Sequence, residues 1–141
     1  MRMKVEISRC GVELIQREAA EAAPLEACGL LFGDARAILE AERCANVADE
    51  PATHFEIDPV ALFAALRAER AGGRRIAGYW HSHPSGEPVP SATDTAMAAP
   101  DGKLWLIVAG ERIGAWRAGP DGFEPLKWSL DGDQTPAIGS Q

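Results

Sequence analysis

Apolar and polar positions along the chain predict short strands that alternate with helices. Between residues 8 and 22 the apolar residues recur at three- and four-residue spacing, which is the period of one helical face. A second helix is predicted from Asp58 to Arg70, because Asp58 is a favoured N-cap and Pro59 a favoured first helical residue. A third, short helix is predicted to begin at Ser91 and end near residue 100. The other apolar runs predict strands at 4–7, 28–32, 36–44, 75–81, 103–109, 113–117 and 123–128.

The order of these elements predicts the fold class. Strands and helices alternate loosely, and a tight turn joins the last two strands, which is typical of antiparallel neighbours. We therefore expect an α/β fold with a mixed, mostly antiparallel sheet flanked by helices. The run at 103–109 is expected to be central, since it is apolar on both faces. The core-facing stripes of the two longer helices are predicted to be Val12, Ile15 and Ala19 in the first and Leu62, Phe63 and Leu66 in the second.

The length of the chain, 141 residues, is that of one domain. Its 46% hydrophobic and 25% charged residues are ordinary for a globular protein. A chain of this size needs neither disulfides nor a metal merely to fold. We expect residues 1–130 to form the domain. Residues 131–141 are polar and rich in glycine, proline and serine, and they are expected to form a flexible tail.

Charge and cysteine content indicate which partners and which cellular compartment to expect. With 14 basic and 21 acidic residues the net charge is −7, so a nucleic-acid partner is not expected. The chain has no run of 18 apolar residues, so no membrane partner is expected either. The N-terminus lacks the apolar core of a signal peptide. Three cysteines without a CxxC spacing fit a reducing compartment, and the cytoplasm is the expected location.

Two histidines and an aspartate form the candidate metal site. His81 and His83 are two residues apart at a predicted strand end, so both side chains point to the same face, with Cα atoms roughly 6.5 Å apart. The proline-rich segment 84–90 folds the chain back, which can bring Asp94 to the same place. Ser91 can cap the helix that carries Asp94. Two histidines, one carboxylate and an open position describe a catalytic zinc site.

A zinc site of this kind needs a general base, and a carboxylate close to the metal serves best. Glu26 is the candidate because it directly precedes a predicted buried strand. Spacing alone does not select Glu26 over Glu21 or Glu56. A lone pair of histidines on a strand is also often structural, so the downstream aspartate is what favours a metal.

Five polar residues carry a resemblance to a known family: Glu26, His81, His83, Ser91 and Asp94. They match the motif of the JAMM (MPN+) metallopeptidases position by position, including the seven-residue gap after His83 and the S-x-x-D ending. Residues 26–31 resemble the family's context for its acidic residue, and residues 55–59 resemble its small bacterial branch. The likeness extends over about residues 3–128. The chain thus resembles a small, single-domain, bacterial-type member.

The resemblance implies a JAMM core, similar to that of cytidine deaminases, with Zn²⁺ bound by His81, His83 and Asp94. It implies that Glu26 takes a proton from the attacking water and passes it to the leaving amine, and that Ser91 stabilises the oxyanion. The implied activity is hydrolysis of a peptide or isopeptide bond after the C-terminal Gly-Gly of a ubiquitin-like sulfur-carrier protein. We hypothesise that the Gly-Gly tail pairs along a sheet edge beside the metal, by strand addition. A homodimer is compatible with the sequence, but no interface is assigned.

Three alternatives stay open at this point. A RadC-like protein associated with DNA repair has a similar motif block, but such chains carry an N-terminal helical region and the charge here is acidic. A non-catalytic MPN scaffold usually lacks metal ligands, whereas this chain keeps all of them. Two histidines and a carboxylate also describe a non-haem iron(II) site, but Glu26 and Ser91 suit hydrolysis.

Overall fold

The computed structural model describes residues 3–131, which form seven strands and three helices. The helices are α1 (Arg9–Ala22), α2 (Pro59–Arg70) and α3 (Ala92–Met97). The strands, in chain order, are β1 (Lys4–Ile7), β2 (Cys28–Gly33), β3 (Ala37–Cys44), β4 (Ile76–Ser82), β5 (Leu104–Ala109), β6 (Arg112–Gly119) and β7 (Gly122–Leu130). Every predicted element is therefore present, with ends that differ by a few residues.

The seven strands close into a barrel in the order β1-β3-β2-β4-β5-β6-β7. Three neighbouring pairs are parallel, namely β1–β3, β1–β7 and β4–β5, and the other four are antiparallel. The sheet is mixed, as predicted, but it is closed and not open, because β1 pairs with both β3 and β7. Every described strand thus has two neighbours. The free sheet edge that we expected for a substrate tail is absent from these strands.

Strand β2 is buried on both faces because its side chains alternate between two apolar clusters. Leu31 belongs to an interior cluster to which all seven strands and Ile15 of α1 contribute. Leu30 faces the other way, into a smaller outer cluster that is covered by Leu62 and Leu66 of α2. Helices α1 and α2 therefore pack against different faces of the same strands.

The predicted helix stripes are confirmed in one helix and corrected in the other. The interior cluster includes or contacts all three predicted residues of α1, namely Val12, Ile15 and Ala19. In α2, however, no residue is fully buried, and the side chain of Phe63 is 63% exposed. Phe63 lies about 100° around the helix from Leu62 and so points away from the outer cluster.

The third helix ends earlier than expected, at Met97 and not near Pro100. Ala98 already has extended backbone angles, and a residue just before proline, such as Ala99, is disfavoured in a helix. No helix within residues 3–131 is long and apolar enough to cross a membrane. Apart from Asp131, the expected tail lies outside the described residues, so the domain boundary stays a prediction.

Candidate metal centre and active site

Two histidines lie side by side at the end of β4. His81 is the penultimate residue of the strand, and His83 is the first residue after the strand ends. Because side chains alternate along a strand, both rings project to the same face, and their Nε2 atoms are 3.1 Å apart. His81 is fully buried, whereas His83 is half-buried. The predicted convergence of the two rings is present.

Asp94 reaches the same point from the first turn of α3. Ser91 is the N-cap of this helix: its Oγ accepts a hydrogen bond from the Asp94 N–H at 3.0 Å. In return, Asp94 Oδ2 accepts one from the Ser91 N–H at 2.9 Å. This capping box, which the S-x-x-D spacing predicts, fixes the carboxylate. Asp94 Oδ2 lies 3.0 Å from His81 Nε2 and 3.1 Å from His83 Nε2.

The three side chains fit a zinc ion. Nitrogen or oxygen ligands at 2.0–2.1 Å from a tetrahedral zinc lie about 3.3 Å from one another, close to the separations seen here. His83 Nδ1 lies 2.8 Å from the carbonyl oxygen of Glu87, which can only accept. In the neutral ring, the form that binds a metal, Nδ1 therefore carries the proton and the Nε2 lone pair is available. With an open fourth position, this donor set is that of catalytic zinc sites.

The electrostatics of these residues favour an ionised carboxylate beside a neutral imidazole. Burial alone would raise the pKa of Asp94, but hydrogen bonds to His81 and His83 outweigh it and hold the pKa well below its usual range. Burial lowers the pKa of His81 by more than Asp94 raises it. At His83, burial acts in the same direction, but hydrogen bonds to Asp94 and Glu87 outweigh it and raise the pKa. An ionised Asp94 and a neutral His81 are the forms that metal binding requires, whereas His83, whose pKa is raised, must release a proton when a metal binds.

Glu26 lies beside this group because of the register between β2 and β4. The two strands are antiparallel, and continuing their pairing beyond β2 places Ala27 opposite Ser82. The Ala27 N–H donates to Ser82 Oγ at 2.8 Å, and the Ser82 N–H donates to the Ala27 carbonyl at 3.0 Å. The next opposing pair is Glu26 and His83. Opposing residues project to the same face, so Glu26 shares the face of the two histidines.

The carboxyl group of Glu26 is buried, with a side chain only 7% exposed. Its Oε1 atom has no hydrogen-bond partner among the described residues. Burial raises the pKa of Glu26 to about 7, with the charge of His83 opposing and that of Asp94 adding to the shift. A pKa near neutrality suits a group that both accepts and returns a proton. Glu21 and Glu56, which spacing could not exclude, are both exposed.

Two residues that the sequence analysis did not assign to the site contact it. The ring of Phe55 stacks on that of His81, with centroids 4.3 Å apart and planes inclined by 19°. The side chain of Asn46 bonds the backbone carbonyls of Glu26 and His54. No spacing singles out Phe55. Asn46 carries a weak signal, because an asparagine soon after a strand often organises a turn.

A cavity of about 340 Å³ opens beside Asp94. It lies between α2 and α3, and its walls are mainly apolar. The large side chains that line it are Phe55, Leu62, Phe63, Tyr79, Met97 and Trp105. One candidate ligand, Asp94, therefore lines an open apolar groove, as expected for a site that receives a substrate.

Comparisons with known proteins place the chain in a family. Residues 11–119 match the prokaryotic homologs of the JAB domain. Over 116 residues the chain is 38% identical to a desampylase from Haloferax volcanii, covering 80% of this chain and 84% of that protein. Over 76 residues it is 38% identical to a probable TtuB-protein conjugate cleaving protease from Thermus thermophilus, covering 54% of this chain and 51% of that protein.

A solved structure has a similar fold over most of the chain. The solution structure of protein DSY2949 from Desulfitobacterium hafniense is similar with a TM-score of 0.78 at 27% identity, covering 89% of this chain and 92% of that one. The match of the family extends over most of the described residues, including those that converge on the candidate metal centre. The resemblance seen in the sequence is thereby confirmed. The chain belongs to the family of prokaryotic homologues of the JAB domain, and it is a zinc-dependent hydrolase of the JAMM type.

Proposed function

We propose that this chain hydrolyses the peptide or isopeptide bond after the C-terminal Gly-Gly of a ubiquitin-like sulfur-carrier protein. In this proposal His81, His83 and Asp94 bind zinc, Glu26 is the general base and Ser91 stabilises the oxyanion. The observation that carries it is a buried carboxyl oxygen of Glu26, without a partner among the described residues, beside three converging metal-binding side chains. One relative is named for cleaving protein conjugates, which supports this substrate class.

The proposed reaction is a proton transfer coupled to attack by water. A zinc ion at the site supplies a Lewis acid and lowers the pKa of nearby water. Glu26 removes a proton from the attacking water as the water oxygen bonds to the carbonyl carbon of the substrate. Glu26 then delivers this proton to the leaving nitrogen as the C–N bond breaks, and so returns to its starting form.

Ser91 can serve as helix cap and as oxyanion donor at once. Its Oγ accepts a hydrogen bond from the Asp94 N–H at 3.0 Å, which uses a lone pair and leaves the hydroxyl proton free. Ser91 is exposed beside the ligands, so its O–H can donate to an oxyanion that forms above them. The cap fixes the position from which this proton is donated.

The apolar groove beside Asp94 supports an extended peptide as substrate. Aromatic side chains form its walls, including Phe55, Tyr79 and Trp105. A tail that ends in two glycines has no side chains to hold it away from such walls. Replacing the tail glycines with bulkier residues is therefore expected to abolish cleavage.

A paired measurement on one sample tests the proposal. Elemental analysis gives the bound metal, and mass spectrometry gives the products after incubation with a ubiquitin-like carrier that is extended beyond its Gly-Gly. We expect one zinc per chain and cleavage after the second glycine. Glu26→Gln is expected to keep zinc and to lose turnover, because an amide cannot accept the proton.

A matched control separates the general base from another carboxylate. Glu21→Gln changes the same atoms at an exposed position and should keep wild-type turnover. Near-wild-type turnover of Glu26→Gln would contradict the assigned base. Zinc without cleavage of any carrier would favour the scaffold alternative, and iron in place of zinc would favour an oxygenase site.

We also propose four further properties of the protein: its location, its relation to other folds, its oligomeric state and its domain boundary. Three free thiols support a reducing compartment, for which the cytoplasm is our proposal. A core like that of cytidine deaminases, a homodimer and a domain boundary at residue 130 are further proposals. Light scattering of the purified protein tests the homodimer directly.

A further inference from the structure

The two candidate histidine ligands are held in different ways. His83 donates its Nδ1 proton to the carbonyl of Glu87 at 2.8 Å. His81 has no such bond: its Nδ1 is buried and has no hydrogen-bond partner among the described residues. The second nitrogen of a metal-binding histidine is almost always hydrogen-bonded, since this bond fixes the ring. His81 therefore needs another means of orientation.

Aromatic rings pack against the imidazole of His81, whose Nδ1 has no hydrogen-bond partner among the described residues. The ring of Phe55 stacks on the imidazole, with centroids 4.3 Å apart and planes inclined by 19°. Trp105 meets the imidazole edge to face at 5.6 Å, and it meets Phe55 in the same way at 5.7 Å. These are favoured aromatic geometries. Rotating the imidazole out of its plane would drive its edge into the face of Phe55, so the stack restricts the ring.

Asn46 ties the segment that carries Phe55 to the active site. Its Nδ2 donates to the carbonyls of Glu26 and His54, both at 3.0 Å. Its Oδ1 accepts from the N–H of Glu56 at 3.0 Å. Both chain neighbours of Phe55 are therefore bonded to one side chain, and that side chain is bonded to the backbone of the candidate general base.

We propose that Phe55 is the positioning residue for His81, in place of the hydrogen bond that Nδ1 lacks, and that Asn46 keeps Phe55 in the stacked position. The inference rests on the zinc site of the proposed function and not on its substrate. Phe55 acts through His81 by holding the ring at the angle that directs Nε2 towards the metal.

Zinc affinity measured by competition with a chromophoric chelator tests the proposal without any substrate. Losing the partner that orients a metal ligand typically weakens metal binding about 10–100-fold, so Phe55→Leu is expected to bind zinc at least about 10-fold more weakly. Phe55→Tyr keeps the ring and should restore wild-type affinity. Asn46→Ala keeps the ring but releases its segment, and a smaller loss in the same direction is expected.

Phe32→Leu is the matched control, because Phe32 belongs to the same outer cluster but lies at the other end of β2 from the register position of His81. It should lower the melting temperature and leave zinc affinity unchanged. Wild-type zinc affinity in Phe55→Leu, or an equal loss in Phe32→Leu, would overturn the proposal. A wild-type protein that binds no zinc would overturn the proposed site, and this inference with it.

Discussion

Glu26 shows at the scale of one residue how burial prepares a group for chemistry. Its side chain is almost fully enclosed, and its pKa is raised to about 7 from a usual value near 4.5. The same enclosure disfavours the ionised form, so keeping this carboxylate costs the folded protein free energy. The residue that the proposed mechanism needs most is therefore a local source of instability.

This instability predicts a pH dependence of folding in metal-free protein. Between about pH 4.5 and pH 7 the unfolded chain releases the Glu26 proton while the folded chain keeps it, so stability falls as the pH rises through this window. Glu26→Gln removes the effect. The variant should exceed the wild type by up to about 3 kcal/mol at pH 8 and match it at pH 4. Urea denaturation with chelator present measures the difference, and a constant difference across pH would contradict the prediction.

A substitution at Ser91 can remove the proposed oxyanion donor without removing the metal. In Ser91→Ala the backbone N–H that binds Asp94 Oδ2 is retained, so zinc binding should persist. Loss of an oxyanion donor lowers kcat by about 10²–10³-fold. The lost helix cap costs only about 1 kcal/mol of stability. Steady-state kinetics with a zinc assay tests this, and a protein that loses zinc together with turnover would refute it.

The loop at 84–90, between β4 and α3, shows how an element positions the site. The carbonyl of Pro88 accepts a hydrogen bond from Trp116 Nε1 on β6 at 3.1 Å. Gly114, also on β6, allows this contact, because a Cβ atom there would lie 2.1 Å from the Pro88 carbonyl oxygen. The neighbouring Glu87 carbonyl orients His83. Gly114 on β6 thus allows the loop position from which the Glu87 carbonyl contacts the candidate ligand His83.

Gly114→Ala is therefore expected to push the loop away from β6. Zinc binding should weaken by about 10-fold or more, as it typically does when the hydrogen-bond partner of a metal ligand is lost. Gly119→Ala is the matched control on the same strand, since its nearest contacts would be 3.3 Å, to Glu124 Oε1 and the Gly122 carbonyl, and neither residue belongs to the site. Chelator competition on both variants measures the effect. Equal affinities in the two variants would show that the close approach at Gly114 does not position the site.

Local signals in the sequence predict the elements well, because they act between residues close in the chain. The predicted caps at Asp58 and Ser91 are both present. Register is not local: that Glu26 lies opposite His83 follows from pairing between strands some fifty residues apart, which no spacing encodes. The same holds for the stack of Phe55 on His81. The family motif selects Glu26 without this information. Reasoning from the residues alone selects Glu26 only when the pairing of β2 with β4 is known.

At the scale of the whole molecule, β1 closes the barrel and lies far from the site in strand order. Four residues of β1 pair with β7 and two pair with β3, whereas the site lies at the ends of β2 and β4. A sequence read along the chain does not predict this closure, since β1 and β7 are at opposite ends of it. Stability and metal binding should therefore depend on different parts of the molecule.

Ile7, which is fully buried in β1, tests this separation. Ile7→Ala should lower the free energy of unfolding by about 2–5 kcal/mol, because it leaves a cavity in the interior cluster. Zinc affinity should stay at the wild-type value, since β1 pairs with β3 and β7 and with neither strand at whose end the site lies. Denaturant titration and chelator competition give the two quantities. A loss of zinc affinity as large as that expected of Phe55→Leu would show that stability and zinc binding are coupled.

The closed barrel also has a consequence for how the protein obtains its metal. In zinc fingers the ion and the fold form together, so removing the ion unfolds the chain. Here the strands are joined to one another around a complete ring, and the capping box holds the carboxylate through protein atoms alone. Loading can follow folding, and the ion can leave and return without a new folding event. The fraction of active enzyme then depends on how much zinc is available to chains that have already folded.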